Sequence, residues 1–187
     1  MKESLALMIS VFLPIVAGVL LFVVPEFKTR KALCAYTGTI LLLTGGFVLL
    51  NLLGESEGFT LFYLTKELPI YFELDVMGKV FLAIVTLVWI LAGFFSFEYM
   101  KHEENEKRYY GFYLVVYGVL IGLNASGNLV TFYLFYELMT LTSFPMVIHT
   151  GTREALMAGL KYLLYSLCGA YMALFGLYFL YRYGSTL

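Results

Sequence analysis

Charge is scarce in this chain. Aspartate, glutamate, lysine and arginine make up 13% of its 187 residues and balance to a net charge of −1, so it lacks the basic surface that a nucleic-acid partner needs. Cysteine is almost absent. Cys34 and Cys168 stand far apart inside apolar runs and no Cys-x-x-Cys occurs, which argues against an iron–sulfur cluster or a structural zinc. Histidine is equally rare. His102 and His149 both fall at predicted helix ends, out of position for a bis-histidine haem between helices. No cofactor, no metal and no catalytic centre of its own are therefore expected. The chain is not expected to carry electrons on cofactors of its own.

What is present is apolar length. Hydrophobic residues make up 61% of the chain, in runs too long and too regularly spaced for a soluble core. Six spanning helices are predicted, over about residues 4–24, 32–53, 77–98, 109–125, 129–148 and 157–181. Each has the roughly 17–25 residues that a ~30 Å hydrocarbon layer demands. The first run, Leu5 to Val24, ends at Pro25-Glu26 without a small-residue cleavage site, so it reads as a membrane helix and not as a cleaved signal. The predicted fold class is all-α. It is a polytopic membrane bundle of six transmembrane helices with one external β-hairpin loop, forming a single membrane domain over residues 1–187.

The hairpin belongs to the one long connection, residues 54–78. Two aromatic-rich segments, 59–64 and 70–74, flank a turn through Lys66, Glu67, Leu68 and Pro69. An amphipathic loop lying on the membrane is the alternative. Basic residues orient the bundle. Lys28, Arg30, Lys31, Lys101, Lys107, Arg108 and Arg153 fall in the connections between helices 1–2, 3–4 and 5–6. Lys2, Lys66, Lys79 and Arg182 fall on the other side. The positive-inside rule puts the first group in the cytoplasm. The expectation is a multi-pass protein of the cell membrane with both termini outside.

One acid breaks the apolar pattern. Glu137 is the ninth residue of the fifth predicted helix, counting from Leu129, and lies ~12 Å along its axis. A charge at that depth costs on the order of 3 kcal/mol or more, so such residues usually face a cavity or a partner and mark an ion path. Tyr133 at i−4, Thr140 at i+3, then Thr142 and Ser143, offer hydroxyls near the carboxyl. Pro145 removes a backbone donor on roughly the same face. Unpaired in apolar surroundings Glu137 would hold its proton, and a nearby ammonium would favour the ionised form; moving that partner would load and release a proton. The competing interpretation is an acid hydrogen-bonded between helices as packing glue. Lys161, near the start of helix 6, is a second candidate for the proton path, against simple snorkelling to the headgroups. His149 is a third, because histidine is the residue type that ordinarily changes charge near neutral pH, against simple solvation. Asp75 is placed to cap helix 3. Gly118 and Gly122 fit a close-packing motif. Asn124-Ala-Ser126 matches a glycosylation sequon but sits in a tight turn at the membrane.

Longer stretches carry a resemblance. Phe97-Glu-Tyr-Met100, a charged connection, and the run from Tyr109 to Pro145 centred on Glu137 resemble the antiporter-like membrane subunits of the complex I superfamily. Leu74-Asp75 with Met77-Gly78, and the run from Ala155 to Ala170, support it. The superfamily includes the pump subunits of NADH:quinone oxidoreductase, the D-type subunit of Mrp sodium/proton antiporters, which looks most similar, and the equivalent subunits of membrane-bound hydrogenases. The resemblance implies that Glu137 is the essential acid of an ion-translocating half-channel and that Lys161 matches a family lysine at the foot of helix 6. It implies an external hairpin after helix 2. It also implies a lysine partner for the glutamate on a seventh helix, and a second inverted repeat beyond it. This sequence has neither, so it matches the N-terminal part of the family only.

The expected function is therefore an ion-translocating membrane subunit, moving protons or exchanging sodium for protons, in a multisubunit antiporter or redox-driven pump. Glu137 would be its relay acid. Its partners would be other membrane subunits, one of which supplies the missing helices and the lysine, together with the lipid bilayer. The alternative is a non-transporting assembly subunit of the same kind of complex. A split gene or a shortened paralogue both fit, with Tyr183-Gly-Ser-Thr-Leu187 as a plausible natural stop.

Overall fold

The computed structural model describes residues 2–24, 27, 29–54, 58–65 and 68–184. Lys28, Lys66, Glu67, Pro25-Glu26 and the final Ser185–Leu187 lie outside the described residues, as does the side chain of Lys2. Six α-helices and one hairpin make up the described residues. They are α1 (Lys2–Val23), α2 (Arg30–Leu53), β1 (Phe59–Thr65), β2 (Leu68–Phe72), α3 (Val76–Tyr99), α4 (Glu106–Asn124), α5 (Leu129–Val147) and α6 (Arg153–Tyr183). A 3₁₀ turn, Met100–His102, precedes α4.

Local chemistry sets most helix starts. Thr29, Asp75, Asn128 and Thr152 each accept a hydrogen bond from the backbone N–H three residues on, satisfying one otherwise orphaned donor. The predicted cap at Asp75 is thus present, at 2.6 Å from the Gly78 nitrogen. Asn105 starts α4 differently, in a left-handed conformation with φ of 58° and no side-chain cap bond.

Four helices, α1, α2, α3 and α6, are long and apolar enough by themselves to cross a membrane. α4 and α5 do not meet that measure, because α4 opens on Glu106, Lys107 and Arg108 and α5 carries Glu137 and several hydroxyls. Their neighbours carry them across. α4 runs antiparallel to α1: Phe22 packs on Gly111 near one end, and Val11 and Pro14 pack on Gly118 further along. α5 in turn follows α4, with Phe135 on Gly122 at one end and Arg108 bonded to the His149 carbonyl at the other. The helix most enclosed by protein needs the fewest lipid-facing apolar side chains. Tyr110 and the run from Tyr113 to Val119 are buried on every face of α4.

The core lies between α1, α2, α3 and α4. Leu7, Val11, Leu21, Leu41, Val48, Leu82, Leu114 and Ile121 are all buried in it. Polar side chains tie it together. Tyr113 donates to the Trp89 carbonyl and Trp89 donates to the Tyr113 carbonyl, so α3 and α4 are bolted reciprocally. Tyr36 donates to Ala17 across α1 and α2. The glycine pair of α4 serves two different neighbours. Gly118 admits α1 and Gly122 admits Phe135 of α5, where any Cβ would collide.

The hairpin is present. β1 and β2 pair antiparallel, Phe59 with Phe72 and Thr65 with Leu68. β2 is pinned onto the α4–α5 turn. The Glu73 nitrogen donates to Ala125, Gly127 donates to Tyr71, and the Tyr71 nitrogen donates to Thr131 Oγ1 at 2.9 Å. The sequon asparagine is occupied there, its amide donating to the Leu120 carbonyl.

Candidate functional site

Glu137 sits mid-helix on α5, half-buried. Its Oε1 accepts a hydrogen bond of 2.6 Å from the Tyr133 hydroxyl, one turn earlier. Tyr133 is the only one of the expected hydroxyls to reach it. Thr140 and Thr142 donate back to the carbonyls of Tyr136 and Leu138, and Ser143 to that of Thr140. The reason is geometric: a threonine or serine inside a helix finds its own i−4 or i−3 carbonyl closer than any carboxyl a turn away. Among the described residues no cation pairs with Glu137. The ion pairs among them are Arg30–Glu106 and Lys101–Glu98.

The α5–α6 contact fixes where Lys161 lies. Ser143 Oγ is 2.7 Å from the Tyr162 hydroxyl, and Gly159 packs against Ile148 and Phe144. The two helices are antiparallel, so Lys161 stands level with about Phe144, close to the end of α5. That is ~10 Å along the axis from Glu137. Lys161 is exposed and has no hydrogen bond among the described residues. His149 lies further out, on the α5–α6 connection. Its Nε2 is 3.0 Å from the Glu104 carbonyl, its ring meets Tyr109 edge-on, and its own carbonyl accepts from Arg108 at 2.9 Å. Its Nδ1 is buried without a partner. Along the axis the three candidates follow in the order Glu137, Lys161, His149; Glu137 and Lys161 belong to the α5–α6 edge, the His149 ring packs on the start of α4, and none touches another. The Arg108 bond to His149 escaped sequence reasoning, since 41 residues separate the two and neither helix pattern reports it.

The edge is open. α6 buries only Gly159 and Ala170 among its described residues. Between α5 and α6 lies an apolar cleft of about 450 Å³, with Tyr133 and Tyr136 on one wall and Ala173, Gly176 and Leu177 on the other. Tyr133 therefore both holds Glu137 and faces this cleft. No cluster of metal-ligating side chains occurs among the described residues.

Two family models match the chain. The one described as NADH-ubiquinone oxidoreductase (complex I), chain 5 N-terminus, covers residues 64–110, and the one described as NADH:quinone oxidoreductase/Mrp antiporter, TM, covers residues 126–187. The chain belongs to the antiporter-like subunits of the complex I superfamily. Relatives agree. The D-type subunit of the Na⁺/H⁺ antiporter of Alkalihalophilus pseudofirmus is 23% identical over 113 residues, 60% of this chain and 23% of that protein. Subunit 5 of the chloroplast NAD(P)H-quinone oxidoreductase of Chlorokybus atmophyticus is 32% identical over 89 residues, 48% of this chain and 14% of that protein. In fold, a chain of the membrane-bound sulfane sulfur reductase, an archaeal respiratory membrane complex, superposes with a TM-score of 0.78 over 97% of this chain at 21% identity. This chain spans 28% of that one, and under a quarter of the two curated relatives. All three candidate residues fall inside the second matched segment. The superfamily assignment and the helical bundle make this a multi-pass membrane protein.

Proposed function

We propose that the chain is an ion-translocating subunit of a multisubunit membrane complex, moving protons or exchanging sodium for protons, with Glu137 as the relay acid. The observation that carries this is the isolation of Glu137. A half-buried carboxyl in the middle of a membrane helix is bonded to one tyrosine, and among the described residues no cation pairs with it. Buried charges are expensive unless paired, so the site is built for a group that is not always charged or not always alone. A lysine from a partner subunit, entering beside the open α5–α6 edge, would complete the pair. With the ammonium near, the carboxylate form is favoured and the proton leaves; with it withdrawn, the carboxylate takes up a proton and becomes neutral. Tyr133 would orient the acid and cover it from the cleft. Lys161 and His149 would extend the path toward the basic end of the bundle, through water, because the spacing of ~10 Å exceeds a direct hydrogen bond. We further propose that this basic end faces the cytoplasm and both termini face outward, since Arg30, Lys31, Lys107, Arg108 and Arg153 gather there.

The test is Glu137→Gln in the assembled complex, reconstituted into vesicles. Ion-driven pH change inside the vesicles should fall to background while every subunit still co-purifies. Transport at the unsubstituted rate would refute the relay and leave the assembly role.

A further inference from the structure

A second cleft lies at the end of the bundle that carries the basic connections. It measures about 620 Å³ and opens between the α1–α2 turn and the start of α4. Its floor is apolar, made by Leu21 and Phe22 from the end of α1 and Phe27 and Leu33 from around the start of α2. Its rim is charged. Arg30 Nε holds both oxygens of Glu106, at 2.7 and 2.8 Å, and the same guanidinium donates to the Phe97 carbonyl. That pair is internally neutral. Lys107 and Arg108 remain, opposed by Glu103, so among the described residues the five charged lining side chains sum to +1, three cations less two acids. Both cations are tethered. Lys107 Nζ donates to the Val24 carbonyl at 2.5 Å and Arg108 to the His149 carbonyl at 2.9 Å. Each tether takes one of several N–H donors and holds the charge at the rim, with the remaining donors free for an acceptor.

Two kinds of surface meet here, and one ligand chemistry uses both. A soluble anion has no use for the phenylalanine floor. An acyl chain alone has no use for the cations. The depth is that of a headgroup, since the lining comes from the last turn of one membrane helix and the first turns of two others. Basic pockets between helices at this level suit anionic lipid headgroups. We propose that this cleft seats one anionic phospholipid, its phosphodiester on Lys107 and Arg108 and its acyl chain on Phe22 and Phe27. The bound lipid would bridge the α1–α2 turn and α4, which touch there through Lys107 and Arg30. The proposal is independent of ion transport.

The experiment is native mass spectrometry of the purified full chain titrated with phosphatidylglycerol, phosphatidylcholine or glycerol 3-phosphate. One phosphatidylglycerol should be retained at concentrations where phosphatidylcholine is lost. Lys107→Gln should weaken retention about fivefold, and Lys107→Gln with Arg108→Gln about 25-fold. Lys107→Arg should restore it, which separates lost charge from lost folding. Phe27→Ser should weaken it with the rim charges intact. Arg153→Gln removes a cation at the same end of the bundle but outside the cleft, and should change nothing. Equal retention of the two lipids, equal losses from Arg153→Gln, or retention of glycerol 3-phosphate as tight as that of phosphatidylglycerol would overturn the proposal.

Discussion

The two sides of this bundle are built by opposite rules. On the α1–α4 side, aromatic and aliphatic side chains interlock around α4, glycines let backbones meet, and tyrosines bond across helices. On the α5–α6 side, a 31-residue helix buries two residues, and apolar clefts of about 450 and 490 Å³ run beside it. The glycines make the contrast plain. A Cβ at Gly118 would lie 2.5 Å from both the Val11 carbonyl oxygen and Ile15, whereas a Cβ at Gly169 or Gly176 would meet nothing within 4 Å. Among the described residues the packed side carries no ionisable carboxyl at mid-depth, and the open side carries Glu137. Stability and the candidate chemistry are thus segregated across the bundle.

The sharpest way to break that comparison is Gly118→Leu. Forcing a side chain between α1 and α4 should cost about 3 kcal/mol or more, because neither backbone can yield without moving the core. Thermal unfolding of the purified chain would show it as a large drop in midpoint, and an unchanged midpoint would mean that the α1–α4 contact is loose. Thr131→Val should cost about 2 kcal/mol in the same assay, since it strands the Tyr71 N–H in a buried junction where Thr131 is fully enclosed.

Smaller effects sharpen the open side. On the proposed relay, Tyr133→Phe removes the one hydrogen bond to Glu137 among the described residues and should slow transport by the assembled complex about fivefold, the equivalent of ~1 kcal/mol, with unfolding barely altered. A rate equal to that of the parent would show that the tyrosine only packs. Gly176→Leu should change the unfolding of the isolated chain by less than about 0.5 kcal/mol. If a partner subunit enters at this edge as proposed, the same substitution should nevertheless reduce its co-purification, because it fills the α5–α6 cleft. Loss of stability in the isolated chain would mean that α6 already has cover within its own fold.

Much of this architecture is legible in the residues. The apolar runs place all six helices to within about four residues, because a span must hide every backbone polar group inside one regular element. The observed starts of α4 and α6 precede the predicted ones, Glu106 against residue 109 and Arg153 against residue 157. In both, a charged first turn continues the helix beyond the apolar run, which hydropathy does not report. The hairpin shows in its two aromatic-rich segments flanking a turn, and the cap at Asp75 in its position before an apolar run. Glu137 and its i−4 tyrosine are local features of one helix, and their bond follows from helical geometry. The hydroxyls after Glu137 depart from expectation, since proximity in sequence does not say whether a threonine bonds outward or to its own backbone.

The sequence by itself determined the solvent of this protein, its six helices, its hairpin and the one acid out of place, because each follows from the local match between side chains and lipid or from contacts within a turn. Only the tertiary structure decided which groups from other helices stand near that acid. It separated Lys161 from Glu137 by the register of α5 on α6. It tied Arg30 to Glu106 across 76 residues and left one edge of the bundle open. Those outcomes depend on how helices pack against one another, and a periodic pattern states which face of a helix is apolar but not which neighbour will cover it.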